Sequence, residues 1–325
     1  MTSGTDRDFA SPPSSPNIYK QASTARVLDL GFWGLTLCLA VGSGAVLLWI
    51  IVQTAITASP AMQTFGFRFL VTTTWDPVNN VYGVLPQIYG TLVTTIIALI
   101  VAIPVGVGTA VFLTEDFAPK FIRNPIAFAI ELIVAIPSVV LGIWGIFVLV
   151  PALRPFFRFL NNTLGWIPFF GGAAPRGNNV LLVGLVLALM ITPIVASLTR
   201  STFDVLPDEL RQGSLALGAT RWETILRVMI PAGLSGIVSS IMLAMGRALG
   251  ETMVAAMLIG NANRINISIL QPGSTITGLI ASKFGEAGRA QVAALMYAGV
   301  VLMILSLLVN IFAELIIRRY QNIEH

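Results

Sequence analysis

Long apolar runs separated by short polar stretches dominate the chain. About 20 consecutive apolar residues are enough to cross the hydrocarbon core of a bilayer as a helix. Six runs reach that length, and we place the spans at about residues 28–56, 88–113, 125–149, 180–198, 232–259 and 290–317. The pattern therefore predicts an all-α, polytopic membrane protein with six transmembrane helices.

The two ends of the chain are polar and lie outside the predicted spans. Residues 1–27 are rich in Ser, Pro and Thr, a composition that predicts a disordered tail. Residues 28–319 hold the six spans, and residues 320–325 form a short C-terminal tail. The first apolar run is far longer than the core of a signal peptide, so we interpret it as a retained span.

The composition excludes several classes of protein. Hydrophobic residues make up 55% of the chain and charged residues 10%, whereas about 25% is usual for charged residues in soluble domains. The net charge of +4 is spread over loops, which gives no support for a nucleic-acid partner. Cys38 is the single cysteine and His325 the single histidine. We therefore expect no metal, no cofactor and no enzymatic activity on this chain.

The distribution of basic residues predicts the orientation in the membrane. An even number of spans places both termini on the same side. Eleven basic residues fall on that side and seven on the opposite side, and Arg247 within the fifth span completes the nineteen. The excess predicts cytoplasmic termini, with residues 204–231 on the cytoplasmic side as well.

Residues 204–231, between the fourth and fifth spans, hold most of the clustered charge of the chain. Asp208 and Glu209 suit the first turn of a helix, where unpaired amides and the helix dipole favour negative charge. Gly218 can end that helix. The segment thus predicts a first short helix outside the membrane.

A second short helix is predicted directly after Gly218. Thr220 and Glu223 have the spacing of a capping box, so this helix begins there and continues towards Pro231. Together the two helices predict a helical elbow on the cytoplasmic side.

The elbow resembles the cytoplasmic signature of ABC importer permeases, which reads EAA, three residues, Gly, nine residues and I-x-L-P. The spacing from Gly218 to Pro231 matches, whereas QGS replaces EAA. On spacing alone, an ordinary amphipathic elbow fits equally well. The resemblance implies contact with a separate ATPase through Gln212, Gly213, Ser214, Gly218, Ala219, Arg221, Glu223 and Pro231.

Three ionisable residues fall within predicted spans. Arg247 and Glu251 lie near the middle of the fifth span, and Glu131 lies a few residues into the third. A charge at the bilayer centre costs about 2.5 to 3.5 kcal/mol on insertion scales and therefore needs a partner or a wet cavity. Arg247 and Glu251, four residues apart, can neutralise each other on one helix face. Alternatively, the planar guanidinium of Arg247 binds a passing oxyanion. On this interpretation Arg247, Glu251 and Glu131 are candidates for a translocation path, because each is a charge within a predicted span.

Prolines also fall within the spans. Pro104, Pro137 and Pro193 each remove a backbone amide and crowd the preceding turn. We expect them to bend or interrupt their helices.

Four longer segments extend the resemblance beyond the elbow. RALGET, LPQIYGTLVTTIIAL, ELIVAIPSVVLGIWGIF and GATRWETILRVMIP resemble the C-type permease subunit of phosphate-specific ABC importers, over about residues 80–320. The resemblance implies an inner-membrane permease that forms half of a path for inorganic phosphate. It also implies a second, homologous permease, a dimer of ATPase subunits and an extracytoplasmic phosphate-binding protein as partners. In that family, the residues matching Arg247 and Glu251 are tied to phosphate passage.

Two alternatives remain open from the sequence. Within the ABC class, the substrate can be another oxyanion, such as sulfate or molybdate. A secondary transporter or channel also has bent spans and buried charge, but it needs no ATPase and leaves the elbow unexplained. The chain lacks the phosphate-cradling pattern G-x-x-x-x-G-K-[ST], so any ATP must bind another polypeptide.

Overall fold

The computed structural model describes residues 18–115, 117–175 and 177–321. The chain divides into two compact units, residues 1–53 and residues 54–325. The predicted tail residues 1–17 and 322–325 lie outside the described residues. Helix α1 (Ile18–Phe65) begins within the segment for which the sequence predicts disorder. In the first unit, residues 29–53 of α1 are apolar and exposed along their whole length, as expected of a helix surrounded by lipid.

Helices of membrane-spanning length account for most of the second unit. Among the described residues of the chain, the apolar helices long enough to span are Asp29–Phe65, Leu85–Thr114, Ser138–Leu164, Val180–Val205 and Arg289–Leu315. Arg221–Ala232 and Leu234–Gly250 pass the same test only as a bent pair, with 70° between them. The predicted all-α membrane fold is confirmed, with five helices of spanning length among the described residues and a sixth span if the bent pair is counted as one.

The remaining elements complete the chain in order. After α1 come α2 (Arg68–Val71), β1 (Trp75–Asp76), β2 (Val81–Tyr82), α3 (Leu85–Thr114), α4 (Lys120–Ala135), α5 (Ser138–Trp144), a π-helical turn (Gly145–Leu149), α6 (Val150–Leu164) and α7 (Val180–Val205). The second half contains α8 (Asp208–Ala216), α9 (Arg221–Thr224), a second π-helical turn (Ile225–Met229), α10 (Ile230–Ala232), α11 (Leu234–Gly250), α12 (Met253–Leu258), α13 (Ile276–Lys283), a 3-10 turn (Phe284–Glu286) and α14 (Arg289–Gln321).

Helices α3 and α7 form the centre of the core of the second unit. Gly106 of α3 lies against α7, where an added Cβ would come within 2.7 Å of the Val195 Cβ. Gly184 of α7 lies equally close to Ile97 of α3. Small residues at these positions let the two backbones approach, which is how helices pack in membranes. Both helices continue through their internal prolines.

The third span differs from its prediction. Helix α4 ends at Ala135, and α5 begins after Pro137, which cannot donate a backbone hydrogen bond. The long apolar helix is Ser138–Leu164, so the predicted span at residues 125–149 is wrong in its bounds. The predicted interruption at Pro137 is confirmed.

The fifth span is also discontinuous. The sequence predicts one helix over residues 232–259, whereas α11 ends at Gly250 and α12 begins at Met253. Glu251, between them, has an extended backbone with ψ at 123°. Apolar residues on both sides of Glu251 hide this break in the sequence.

A hairpin at residues 72–84 precedes α3. Its strands are antiparallel, with Trp75 paired to Tyr82 and Asp76 to Val81. The turn is fixed by Asp76, whose Oδ1 accepts from the Val78 and Asn79 amides at 2.9 and 3.3 Å. Hydrogen bonds from the Asn79 side chain and backbone hold the pKa of the Asp76 carboxyl below its ordinary value. We call the N-terminal ends of α3 and α7 their hairpin ends.

Candidate functional site

The elbow forms as the sequence predicts. The Thr220 Oγ1 accepts from the Glu223 amide at 3.3 Å, and the Glu223 Oε2 accepts from the Thr220 amide at 2.9 Å. This reciprocal pair is the predicted capping box, and it starts α9 directly after the turn. The second elbow helix then continues through the π-helical turn to Ala232.

Gly218 makes the turn between the two elbow helices. Its φ of +89° lies in the left-handed region, which residues with a Cβ adopt at a cost. No atom lies within 4 Å of the position that a Cβ would occupy, so the requirement for glycine comes from the backbone rather than from crowding. The predicted end of the first helix at this glycine is confirmed.

Two side-chain contacts hold the elbow in place. The Ser214 Oγ lies 3.0 Å from the Thr224 Oγ1 and joins α8 to the second helix. The Arg211 Nη2 lies 2.8 Å from the Glu115 Oε1, just beyond the end of α3. Both members of this ion pair are largely shielded, with side chains 27% and 14% exposed. The elbow is therefore anchored to the helix that forms the centre of the core.

Apolar side chains project from the outer surface of the elbow. Leu217 is 91% exposed beside the turn, and Trp222 is 61% exposed at the start of α9. The Trp222 ring also stacks on Phe117, with centroids 5.3 Å apart. Exposed apolar residues grouped in a charged segment mark a surface suited to binding another protein. Neither Leu217 nor Trp222 is among the residues predicted from the sequence, although Trp222 lies between the charged Arg221 and Glu223.

The other elbow residues singled out in the sequence are accessible or nearly so. Gln212 and Gly213, in place of the expected EAA triplet, are exposed on α8, while Ser214 turns inward to Thr224. The other residues predicted to contact a separate ATPase lie in the second half of the elbow and are exposed or half-buried: Ala219, Arg221, Glu223 and Pro231.

Arg247 lies in the last turn of α11 and is exposed on the surface of the chain. Among the described residues, no carboxylate lies within 4.0 Å of its guanidinium. Gly246 and Gly250 flank it in sequence, and no atom lies within 4 Å of their added Cβ positions. The guanidinium therefore stands in open space, with its hydrogen-bond donors available to an anion.

Glu251 does not neutralise Arg247, so that interpretation of the pair is wrong. Glu251 lies beyond the end of α11, and its Oε1 accepts from the amides of Met253 at 3.1 Å and Val254 at 3.3 Å. Its backbone carbonyl accepts from the Thr277 Oγ1 of α13 at 2.7 Å. Glu251 thus fixes the break in the fifth span, a role that sequence periodicity does not reveal.

Glu131 lies far along α4, in the helix before the third apolar span. It is exposed and lines a pocket of about 190 Å³ with Ser197, Arg200 and Asp204 of α7. The Arg200 Nε lies 3.6 Å from the Asp204 Oδ2 across the same pocket. The structure therefore places Glu131 in a charged pocket of its own and gives it no contact with Arg247.

The described residues hold no group of three or more His, Cys, Asp or Glu side chains arranged for a metal ion. The geometry supplies an elbow with exposed apolar side chains and an exposed cation at the end of a broken span.

Comparisons of the sequence with known proteins agree on one family. Residues 102–322 match the family described as "Binding-protein-dependent transport system inner membrane component". The "Phosphate transport system permease protein PstC" of Xylella fastidiosa strain Temecula1 is 43% identical over 268 residues, covering 81% of this chain and 82% of that protein. The protein of the same name from Haemophilus influenzae is 41% identical over 278 residues, covering 84% and 88%.

Solved structures share the fold at low sequence identity. A bacterial alginate ABC transporter, in complex with an alginate pentasaccharide-bound periplasmic protein, gives a TM-score of 0.61 at 16% identity. That match covers 90% of this chain and 96% of the other. The MetNI methionine ABC transporter in an inward facing conformation gives 0.50 at 20% identity, covering 73% and 94%. These likenesses support an importer-type fold.

Proposed function

This chain belongs to the family of binding-protein-dependent transport system inner membrane components, and from that membership we infer that it is the membrane permease subunit of an ABC importer of inorganic phosphate. Relatives named as phosphate permeases, at 41% to 43% identity over most of the chain, support phosphate as the substrate. The chain forms half of the translocation path.

The observation that carries the proposal is the open guanidinium of Arg247. It lies in the last turn of a helix that ends within a span, and no carboxylate of the described residues pairs with it. A cation at membrane depth needs a partner or water. In the assembled transporter, phosphate becomes its transient partner, since a guanidinium fork matches the oxygens of an oxyanion.

Glu251 and Glu131 have different roles in this mechanism. Glu251 holds the end of α11 in place through the amides of α12, and thereby sets where Arg247 projects. Glu131 belongs to the pocket between α4 and α7, beside the ion pair of Arg200 and Asp204, and in the proposed mechanism it lines the exit for phosphate.

The elbow docks on a separate ATP-binding subunit. Its exposed Leu217 and Trp222 supply the apolar contact, and the Arg211–Glu115 ion pair links that contact to α3. Two ATPase subunits, one for each permease, hydrolyse ATP and move the elbows. The proposal assigns no ATP hydrolysis to this chain.

The remaining partners follow from the family. A second, homologous permease covers the exposed face that carries Arg247, and an extracytoplasmic binding protein delivers phosphate at the hairpin ends of the helices. The chain lies in the inner membrane with its termini and the elbow in the cytoplasm, an orientation supported by the excess of basic residues on that side.

Reconstitution of the complete transporter tests the function. The chain is co-purified with a second six-span permease and an ATP-binding subunit encoded beside it, and placed in liposomes with its binding protein. We expect uptake of radiolabelled phosphate that requires ATP and that excess unlabelled phosphate abolishes. Uptake by the chain alone, without nucleotide, contradicts the ABC mechanism and favours a secondary transporter or channel.

The choice of oxyanion is tested in the same vesicles. Sulfate and molybdate are added in excess over labelled phosphate. We expect neither to compete. If either anion is itself taken up in an ATP-dependent manner while phosphate is not, the substrate assignment is wrong and the importer assignment stands.

A further inference from the structure

Helix α6 presents three different faces along its length. Phe157 is buried and belongs to the inner face, which packs on the core. Arg154 and Arg158, four residues apart, lie together on a second face, and both are exposed. Phe156 and Phe159 lie on a third face, and Phe159 is 61% exposed. A basic face beside an exposed aromatic face is typical of helices that lie at the surface of a bilayer.

The two arginines of α6 form no ion pair within the part of the chain that the structure describes. There, no carboxylate lies within 4.0 Å of either guanidinium. The neighbouring sequence supplies none either, because residues 145–179 contain three arginines and no acidic residue. The Cβ atoms of residues four apart on a helix are about 6 Å from each other, so Arg154 and Arg158 can reach the same anion. The positive charge of this segment is therefore left for an external anion to complement.

Hydrogen bonds tie the end of α6 to the hairpin end of α7. The Asn161 Nδ2 donates to the Phe170 carbonyl at 2.8 Å. The neighbouring Phe169 carbonyl accepts from the Ile269 amide at 2.9 Å, and the Ile269 carbonyl accepts from the Leu181 amide at 2.9 Å. Leu181 lies in the first turn of α7, where that span begins. The C-terminal half of α6 is thus held near a boundary of the membrane.

The length of the helix that contains α6 points to the same boundary. Ser138–Leu164 is an apolar helix of 27 residues, which at a rise of 1.5 Å per residue extends about 40 Å. This length exceeds the hydrocarbon core of about 30 Å, and both charged residues lie in the second half of the helix. Trp166, just beyond its C-terminal end, is 80% exposed. Because tryptophan is enriched at the level of the lipid headgroups, the arginines are placed where phosphate oxygens of lipids lie.

We propose that α6 binds an anionic phospholipid in the leaflet at the hairpin ends of α3 and α7. The guanidiniums of Arg154 and Arg158 bind the phosphodiester of the headgroup through charge-assisted hydrogen bonds. The rings of Phe156 and Phe159 contact its acyl chains. A free anion uses only the arginines, whereas the exposed rings beside them favour an amphipathic ligand. The inference depends on the membrane fold and not on the identity of the transported ion.

Photolabelling with a lipid probe tests the site. The complete complex, purified in detergent, is irradiated with phosphatidylglycerol that carries a diazirine in one acyl chain, and mass spectrometry locates the label. We expect label within residues 156–169. Unlabelled phosphatidylglycerol should compete at a concentration about 25-fold lower than phosphatidylcholine requires, because each arginine near an anionic headgroup strengthens binding about fivefold.

Two matched double variants assign this preference to the arginines. Arg154→Gln combined with Arg158→Gln should remove the difference between the two lipids, so that both compete at about the same concentration. Arg264→Gln combined with Arg289→Gln removes two exposed cations elsewhere on the chain and should leave the difference intact. All four side chains are exposed, so neither pair of substitutions disturbs the packing of the core.

Three outcomes overturn the proposal. Equal competition by phosphatidylglycerol and phosphatidylcholine in the unmodified complex means that α6 has no site for an anionic headgroup. Competition by inorganic phosphate as effective as that by phosphatidylglycerol assigns the arginines to the free ion. Absence of label from α6 in the complete complex means that another protein subunit covers this face. Failure of the reconstituted complex to import phosphate, by contrast, contradicts the proposed function and leaves the lipid site standing.

Discussion

Arg211 in the elbow and Arg247 at the end of α11 lie on one stretch of chain, which turns at Gly218 and bends again at Gly233. Arg211 lies 2.8 Å from Glu115, and its side chain is only 27% exposed. Arg247 is exposed and has no ion pair among the described residues. A paired, shielded guanidinium fixes structure, whereas an open one is available to a ligand. The same residue type is thus held in an ion pair at one end of the stretch and left exposed at the other, where the proposed function assigns it to phosphate.

The strongest test of this contrast removes the open cation. Arg247→Gln should lower the initial rate of phosphate uptake about ten- to hundredfold, since hydrogen bonds to a charged group contribute about 1.5 to 3 kcal/mol. Arg247→Lys should recover only part of it, because an ammonium lacks the planar fork. Uptake of radiolabelled phosphate by cells is measured together with the abundance of the chain in the membrane. Normal uptake at normal abundance removes Arg247 from the path.

The next test disturbs the elbow while leaving Arg247 in place. Gly218→Val forces a β-branched residue into left-handed backbone, at a cost of about 1 to 2 kcal/mol or more. We expect ATP hydrolysis to continue while the phosphate transported per ATP falls several-fold. Gly285→Val is the matched control, because Gly285 lies outside the elbow, has open space at its Cβ position and has no left-handed backbone. Unchanged coupling in the valine variant contradicts the docking role.

A double-mutant cycle measures how firmly the paired cation holds the elbow. Arg211→Gln and Glu115→Gln should each destabilise the chain by about 1 to 2 kcal/mol, between the values for exposed and buried pairs. The double variant should lose less than the sum of the two. Thermal unfolding in detergent measures the stability of the unmodified chain, the two single variants and the double variant. Strict additivity would mean that the Arg211–Glu115 pair does not help to hold the elbow on α3. Arg211 would then have no structural role to set against Arg247.

The smallest effect is expected at the start of the second elbow helix. Thr220→Ala removes the capping hydroxyl, at a cost of about 1 kcal/mol that is confined to the elbow. Hydrogen exchange of the Glu223 amide should accelerate about fivefold, and phosphate uptake should change little. Thr220→Ser keeps the hydroxyl and should exchange as the unmodified chain does. A large loss of uptake in the alanine variant means that the cap itself belongs to the docking surface.

The elbow was predictable because its signals are local. A capping box needs only Thr220 and Glu223 at the right spacing, and a left-handed turn favours the glycine found at position 218. The overall membrane fold was equally accessible, since apolar runs of spanning length depend on the bilayer rather than on neighbouring helices.

The geometry around Arg247 was not predictable from spacing. A spacing of four positions from Arg247 to Glu251 places both side chains on one helix face only if the helix continues, and it ends at Gly250. The break depends on tertiary contacts, from Thr277 of α13 to the Glu251 carbonyl and from the α12 amides to its carboxylate.

The bend at Gly233 determines in which direction a movement of the elbow acts. The elbow's second helix and α11 meet at 70°, and the bend abuts Phe203 of α7, whose ring an added Cβ at Gly233 would approach within 2.9 Å. A force along the axis of the second elbow helix is therefore transmitted to α11 mainly as a sideways rotation about the contact with α7. Under the proposed function, a pull on the elbow would therefore swing the end of α11 that carries Arg247 sideways instead of sliding it along its axis.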